Sequence, residues 1–239
     1  MTRDHVVAGS WYPRSTPIEV QRITVLACQD CNTNRYSADE RYLLLRLSAC
    51  VDPSLPAAEG VWEQARQAMD VFNAPNEQER KHRQAAWDAF NGDTDETGTA
   101  ADGGMLPAFV SNSQMGSSVL VRIQADRLES VVGKWSLGFH SYVWKKPAPI
   151  EAAVSIFHLK ESDASEIFLF ADERWTMIDL GPGIRIRYIT DGDGTERHTV
   201  YEFQIWGRVI AHASIREGNT QSASVTNTDA SKPGGTIYA

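Results

Sequence analysis

Beyond Pro147 and Pro149 the chain changes its hydrophobic period, and no other feature restricts its fold as much. Upstream, apolar residues recur every three or four positions, the spacing of one face of a helix. Downstream, short β-branched and aromatic segments near 152–159, 166–170, 175–180, 184–190, 199–206 and 209–215 are separated by turn residues. Asp191-Gly192-Asp193-Gly194 lies between two of them and reads as a tight hairpin turn rather than a calcium loop, because the glycine and distal glutamate of an EF-hand are misplaced. Six short strands joined this closely pair as antiparallel sheet.

The helical part is punctuated by its own signals. Ser37 followed by Glu40 has the spacing of a capping box, and Leu43, Leu44, Leu47 and Val51 then repeat at helical spacing until Pro53. A second helix is expected over 57–72, with Val61, Trp62, Ala65, Met69 and Phe72 on its buried face. A third, more polar helix starts at an Asn76 cap with Glu79 three residues on, and ends at Asn91-Gly92. Residues 91–104 collect Asp, Thr and Gly and read as an exposed loop. A strand is expected over 117–123, and Leu128, Val132, Trp135, Phe139 and Tyr142 trace one face of a long helix. Residues 218–239 lack the apolar content to offset ordering entropy and read as a disordered tail.

The 239 residues carry 23 basic and 31 acidic side chains, a net charge of −8, which excludes a nucleic-acid binder that works through global positive charge. The sequence has no apolar run of the roughly 20 residues that a membrane span needs, and its polar start is no signal peptide. Three cysteines make no disulfide framework, so the expected compartment is the cytoplasm.

Two of those cysteines, Cys28 and Cys31, form a Cys-x-x-Cys pair behind a short apolar segment, 23–27. Asp4-His5-Val6 stands 22 residues earlier, Asn32 follows Cys31 directly, and the leucine-rich helix comes next. Asp-His-Val, then Cys-x-x-Cys-Asn, then Ser-x-x-Glu and a leucine-rich helix, resembles the HNH endonuclease family in its zinc-ribbon-containing form. The likeness is specific over residues 3–47 and looser over 128–215. It implies a short ββα-metal element that hydrolyses DNA phosphodiester bonds. His5 would be the general base, and Asp4 would hold a catalytic Mg²⁺ or Mn²⁺, with Asn32 as a second oxygen ligand or a loop-orienting residue. Cys28 and Cys31 would be half of a structural zinc site.

The chain departs from that pattern in two places. Structural zinc takes four thiolate or imidazole ligands, and the first Cys-x-x-Cys, which similar proteins carry just before Asp-His, is absent. A coding start placed too late explains this, as does a degenerate member that no longer binds zinc; the abrupt start at Asp4-His5 favours the former. Cys50 could add a thiolate only if the helix bent back. Ala8 stands where a proline often follows Asp-His-Val.

Elsewhere the bland readings dominate. His140, His158, His198 and His212 have no paired spacing and read as packing or surface residues, and Trp135, Trp144, Trp175 and Trp206 as core aromatics. Arg80, Lys81 and Arg83 form the densest basic cluster, and Arg185 and Arg187 share one strand face; both are candidate phosphate contacts. The expected architecture is α+β: an HNH-like ββα element over 1–52, a helical region and linker over 53–104, an α+β domain with antiparallel sheet over 105–216, and a tail over 217–239. The expected activity is that of an HNH-type endonuclease on DNA. The alternative is a non-catalytic protein in which the HNH remnant is scaffold and the C-terminal sheet binds a protein or ligand.

Overall fold

The computed structural model describes residues 2–30, 36–95, 105–107, 120–149, 153–159, 174–192 and 196–217. β1 (Thr2–His5) and β2 (Thr24–Ala27) form an antiparallel pair in which Asp4 faces Val25 and His5 faces Thr24. The residues between them fold over the core, where Trp11 is fully buried.

Helix α1 (Tyr36–Ala49) buries Leu43, Leu44, Leu45 and Leu47, as the leucine spacing requires. The capping box is not formed. The helix already includes Tyr36, and the Glu40 carboxylate turns into the core to accept hydrogen bonds from Lys134 and Trp135. The second helix is shorter than its apolar pattern. A 3₁₀ turn occupies 56–58, Gly60 then takes a left-handed φ of 72°, and only Val61–Gln67 (α2) is helical. Phe72 lies past its end and is fully exposed, not on a buried face. α3 (Glu77–Gly92) starts where the cap predicts, with the Glu79 amide donating to Asn76 Oδ1 at 2.8 Å.

Residues 91–104 are not wholly loop. β3 (Thr94–Asp95) and β4 (Met105–Pro107) flank β5 (Leu120–Arg122) in a small antiparallel sheet. Strands of two and three residues leave no period to read. α4 (Ala125–Trp144) follows, with Leu128, Val131, Val132, Trp135 and Phe139 buried along one side.

β6 (Ala153–Leu159), β7 (Thr176–Asp179), β8 (Ile184–Asp191), β9 (Arg197–Ile205) and β10 (Val209–Glu217) form one antiparallel sheet in the order β6-β10-β9-β8-β7. Five of the six expected strands are thus present; the sixth, near 166–170, lies outside the described residues, as do the turn residues 193–195 and the tail. Ile186, Tyr201, Phe203, Ala211 and Ala213 are buried on the side that packs against α4, where Phe203 meets the rings of Trp135 and Phe139.

One hydrophobic cluster runs from Val6 to Ile215. Its centre is aromatic: the Trp11 ring meets Trp135 edge-on at 4.8 Å and stacks on Trp206 at 5.2 Å. The Trp206 indole N–H donates to the Trp11 carbonyl at 2.9 Å. Trp206 and Gly207 both have positive φ, 53° and 72°, and they turn β9 into β10. Together these contacts fix the N-terminal segment against the sheet and α4.

Candidate functional site

Neighbouring side chains on a strand point to opposite faces, and β1 separates the Asp-His pair in this way. Asp4 is buried and turned inward, whereas His5 is exposed. Inward, Asp4 meets Lys134 of α4, whose Nζ lies 3.1 Å from Asp4 Oδ2 and 3.4 Å from Oδ1. The same ammonium donates to Glu40 Oε2 at 3.1 Å, and the Trp135 indole N–H donates to Glu40 Oε1 at 3.3 Å. Three elements far apart in sequence thus meet at one buried ion triad. Burial pushes the Glu40 carboxyl above its ordinary value, with Asp4 adding to the rise, while Lys134 and Trp135 pull it down.

Asp4 and Lys134 line a cleft of about 300 Å³. Its walls include Val25 and Leu26 of β2, Tyr36 at the start of α1, and Leu137 of α4. Pro147 and Pro149 close one side, and the chain there is pinned by the Ala148 amide donating to Ser141 Oγ at 3.1 Å. α4 approaches the hairpin at Gly138, where a Cβ would come within 2.8 Å of the Val6 side chain. Glycine is thus what allows the helix to sit against the cleft wall.

Of the expected metal residues, Asn32 and Cys31 lie outside the described residues. Cys28 is disulfide-bonded, whereas the zinc ligand is a thiolate. Cys50 is a buried free thiol that donates to the Arg46 carbonyl, and burial raises its pKa to about 12. Burial thus favours the neutral thiol, which is hydrogen-bonded to the helix backbone. Among the described residues no group of three or more His, Cys, Asp and Glu side chains gathers. A catalytic cation is a different case. Asp4 and Glu40 converge on Lys134, so a cation held by Asp4 would have to displace that ammonium.

The basic residues are dispersed. Arg80 pairs with Glu77 at 3.0 Å and Arg83 with Glu79 at 2.9 Å on α3. Arg83 also donates to the carbonyls of Asp70 and Asn73, while Lys81 is exposed. Arg185 is exposed on β8, whereas Arg187 is buried, with two guanidinium nitrogens on Glu202 at 2.7 Å.

Two buried polar groups were not apparent from spacing. On one face of the sheet, Glu202 accepts from Arg187 and from His212 at 2.9 Å, with Trp175 over the Arg187 guanidinium. At the end of α4, His140 is hydrogen-bonded through Nδ1 to the Tyr201 hydroxyl at 3.0 Å and through Nε2 to Glu217 at 2.6 Å. Lys146 and Arg197 also hold Glu217. The signal for Lys134 was available in the sequence: a lone cation beside Trp135 among the apolar positions of α4 needs a buried partner.

No protein-family model, curated protein or solved structure matches the chain. Among the described residues, no helix is long and apolar enough to cross a membrane.

Proposed function

We propose that the chain is an HNH-like, metal-dependent endonuclease that hydrolyses DNA phosphodiester bonds. One observation supports this reading most: an antiparallel hairpin precedes a helix and carries His5 exposed at the end of its first strand; Asp4, on the opposite face, would have to exchange Lys134 for the cation. In this reading the His5 imidazole takes a proton from the attacking water. The water oxygen bonds to phosphorus, the ester bond to the leaving sugar oxygen breaks, and that oxygen is protonated from solvent. Asp4, with Asn32, would hold Mg²⁺ or Mn²⁺, which supplies charge to the phosphate. Arg185 and Lys81 are the exposed cations left for backbone contacts, and Arg80, paired with Glu77, could join them.

The Lys134–Asp4 pair favours a second reading. An Asp4 carboxylate already neutralised inside the core is what a retained scaffold would contain, with the C-terminal sheet left to bind a protein or ligand. Plasmid nicking with Mg²⁺ or Mn²⁺ separates the two. Loss of nicking in His5→Ala, with unchanged melting, supports the nuclease. Equal background in wild type and variant leaves the scaffold.

A further inference from the structure

The alternation that turns Asp4 inward sets a row of side chains outward on the other face of the hairpin. Along β1, Arg3 and His5 are exposed on either side of buried Asp4. The returning chain alternates in the same way: Arg22, Thr24 and Leu26 are exposed, whereas Ile23 is buried and Val25 half-buried. The ladder sets Thr24 opposite His5 and Leu26 opposite Arg3. The Val6 amide donates to the Ile23 carbonyl at 3.0 Å, which carries the pairing one step further towards Arg22. His5 therefore has one cation two residues along its own strand and another two residues beyond its cross-strand partner, each within about 8 Å by backbone spacing. The Arg22 guanidinium rests over Tyr12, its carbon 5.1 Å from the ring centre, so part of its ordering entropy is already spent. None of Arg3, His5, Arg22, Thr24 and Leu26 is a carboxylate, in a chain of net charge −8.

We infer that this outer face of the hairpin is the docking surface for the sugar–phosphate backbone of DNA, with Arg3 and Arg22 on phosphates that flank the one set before His5. Overall repulsion makes an acidic protein depend on a local patch to bind a polyanion, and here the patch surrounds the residue assigned to the chemistry. Arginine suits the task because its planar fork matches phosphate oxygens in pairs. Contacts of this kind fix register and orientation without reading sequence. Leu26, which is 70 % exposed opposite Arg3, then lies against the apolar carbons of a sugar. Arg3 and Arg22 are a different set from Lys81 on α3 and Arg185 on β8. The choice of DNA rests on the nuclease reading, whereas the docking itself needs neither Asp4 nor a bound cation.

Binding of a fluorescein-labelled DNA duplex to the full chain, followed by anisotropy in EDTA over a series of salt concentrations, tests this without any cleavage. Arg3→Gln and Arg22→Gln are each expected to weaken binding at least about threefold and to flatten the slope of log affinity against log salt by about 1. The double variant is expected to flatten it by about 2. Arg3→Lys and Arg22→Lys keep the charge and are expected to keep the slope, which separates a phosphate contact from packing on Tyr12. Arg216→Gln makes the same change of charge at an exposed position of β10 and is expected to match wild type. No binding by wild type, an unchanged slope in either glutamine variant, a slope lost equally in the lysine variants, or an equal loss in Arg216→Gln overturns the inference. Binding with the expected slopes but no nicking in Mg²⁺ or Mn²⁺ removes the nuclease and leaves the docking face, whereas nicking with unchanged slopes removes the docking face alone.

Discussion

Lys134 places its ammonium 3.1 Å from the carboxylate of Asp4, a residue 130 positions earlier. Neither side chain is more than about a tenth exposed, and Glu40 shares the same ammonium. Breaking a buried pair from one side leaves an uncompensated charge, which costs more than the pair itself contributes.

Lys134→Met is therefore expected to lower stability by about 3–5 kcal/mol in urea titrations. It leaves two carboxylates facing an apolar side chain, so Mn²⁺ should now stabilise the variant in proportion to its concentration and do so less in wild type. A variant whose urea midpoint ignores Mn²⁺ would show that the spot does not accept a divalent ion.

His5→Ala should leave the urea midpoint within about 0.5 kcal/mol of wild type, because the side chain is exposed. Any activity lost with it is then lost chemistry. Co-operative destabilisation would instead mean that His5 is part of the packing.

α4 carries two glycines with opposite roles. A methyl group on Gly133 meets nothing within 4 Å, and one on Gly138 meets Val6 at 2.8 Å. Gly133→Ala should stabilise by up to about 1 kcal/mol, the helix-propensity difference. Gly138→Ala should destabilise despite the same propensity gain, because the helix must move off the hairpin. Equal effects from the two would remove the close approach as the reason for Gly138.

Much of this was legible in the sequence. The leucine repeat, the Asn76 cap and the face from Leu128 to Phe139 became helices, and the switch of period after Pro149 became sheet, because each is a local pattern. What was not legible depends on partners distant in the chain. The Ser37–Glu40 spacing resembled a cap, but Glu40 found a stronger donor on α4. The helix expected over 57–72 narrowed to Val61–Gln67: left-handed Gly60 delays its start, and it ends before Phe72. At the candidate site the sequence marked Asp4 and His5, while Lys134, 130 residues on, could be paired with them only in three dimensions.

Glu202 makes acid stability testable. Burial pushes its carboxyl up, but hydrogen bonds from His212, Arg187 and Gln204 and the Arg187 charge outweigh that and hold it at about 2, below the ordinary 4.5. A depressed carboxyl stabilises the fold fully above its unfolded value and loses that contribution as pH falls through its folded one. Stability should thus decline as pH falls from about 4.5 towards 2. Glu202→Gln should be less stable at neutral pH and flatter across that window in urea midpoints against pH. An equally steep decline in the variant would assign the acid sensitivity to other groups.

The indole contact between Trp206 and Trp11 has a consequence for the order of events on the ribosome. Trp11 leaves the exit tunnel early and its ring can meet Trp135 once α4 is made, but its carbonyl and stacked face wait for Trp206, 195 positions later. The first strand pair therefore stays without its closing contact until nearly the last described strand has been synthesised. Until then its apolar residues must be shielded by other means, so the chain's most exposed interval falls during its own synthesis.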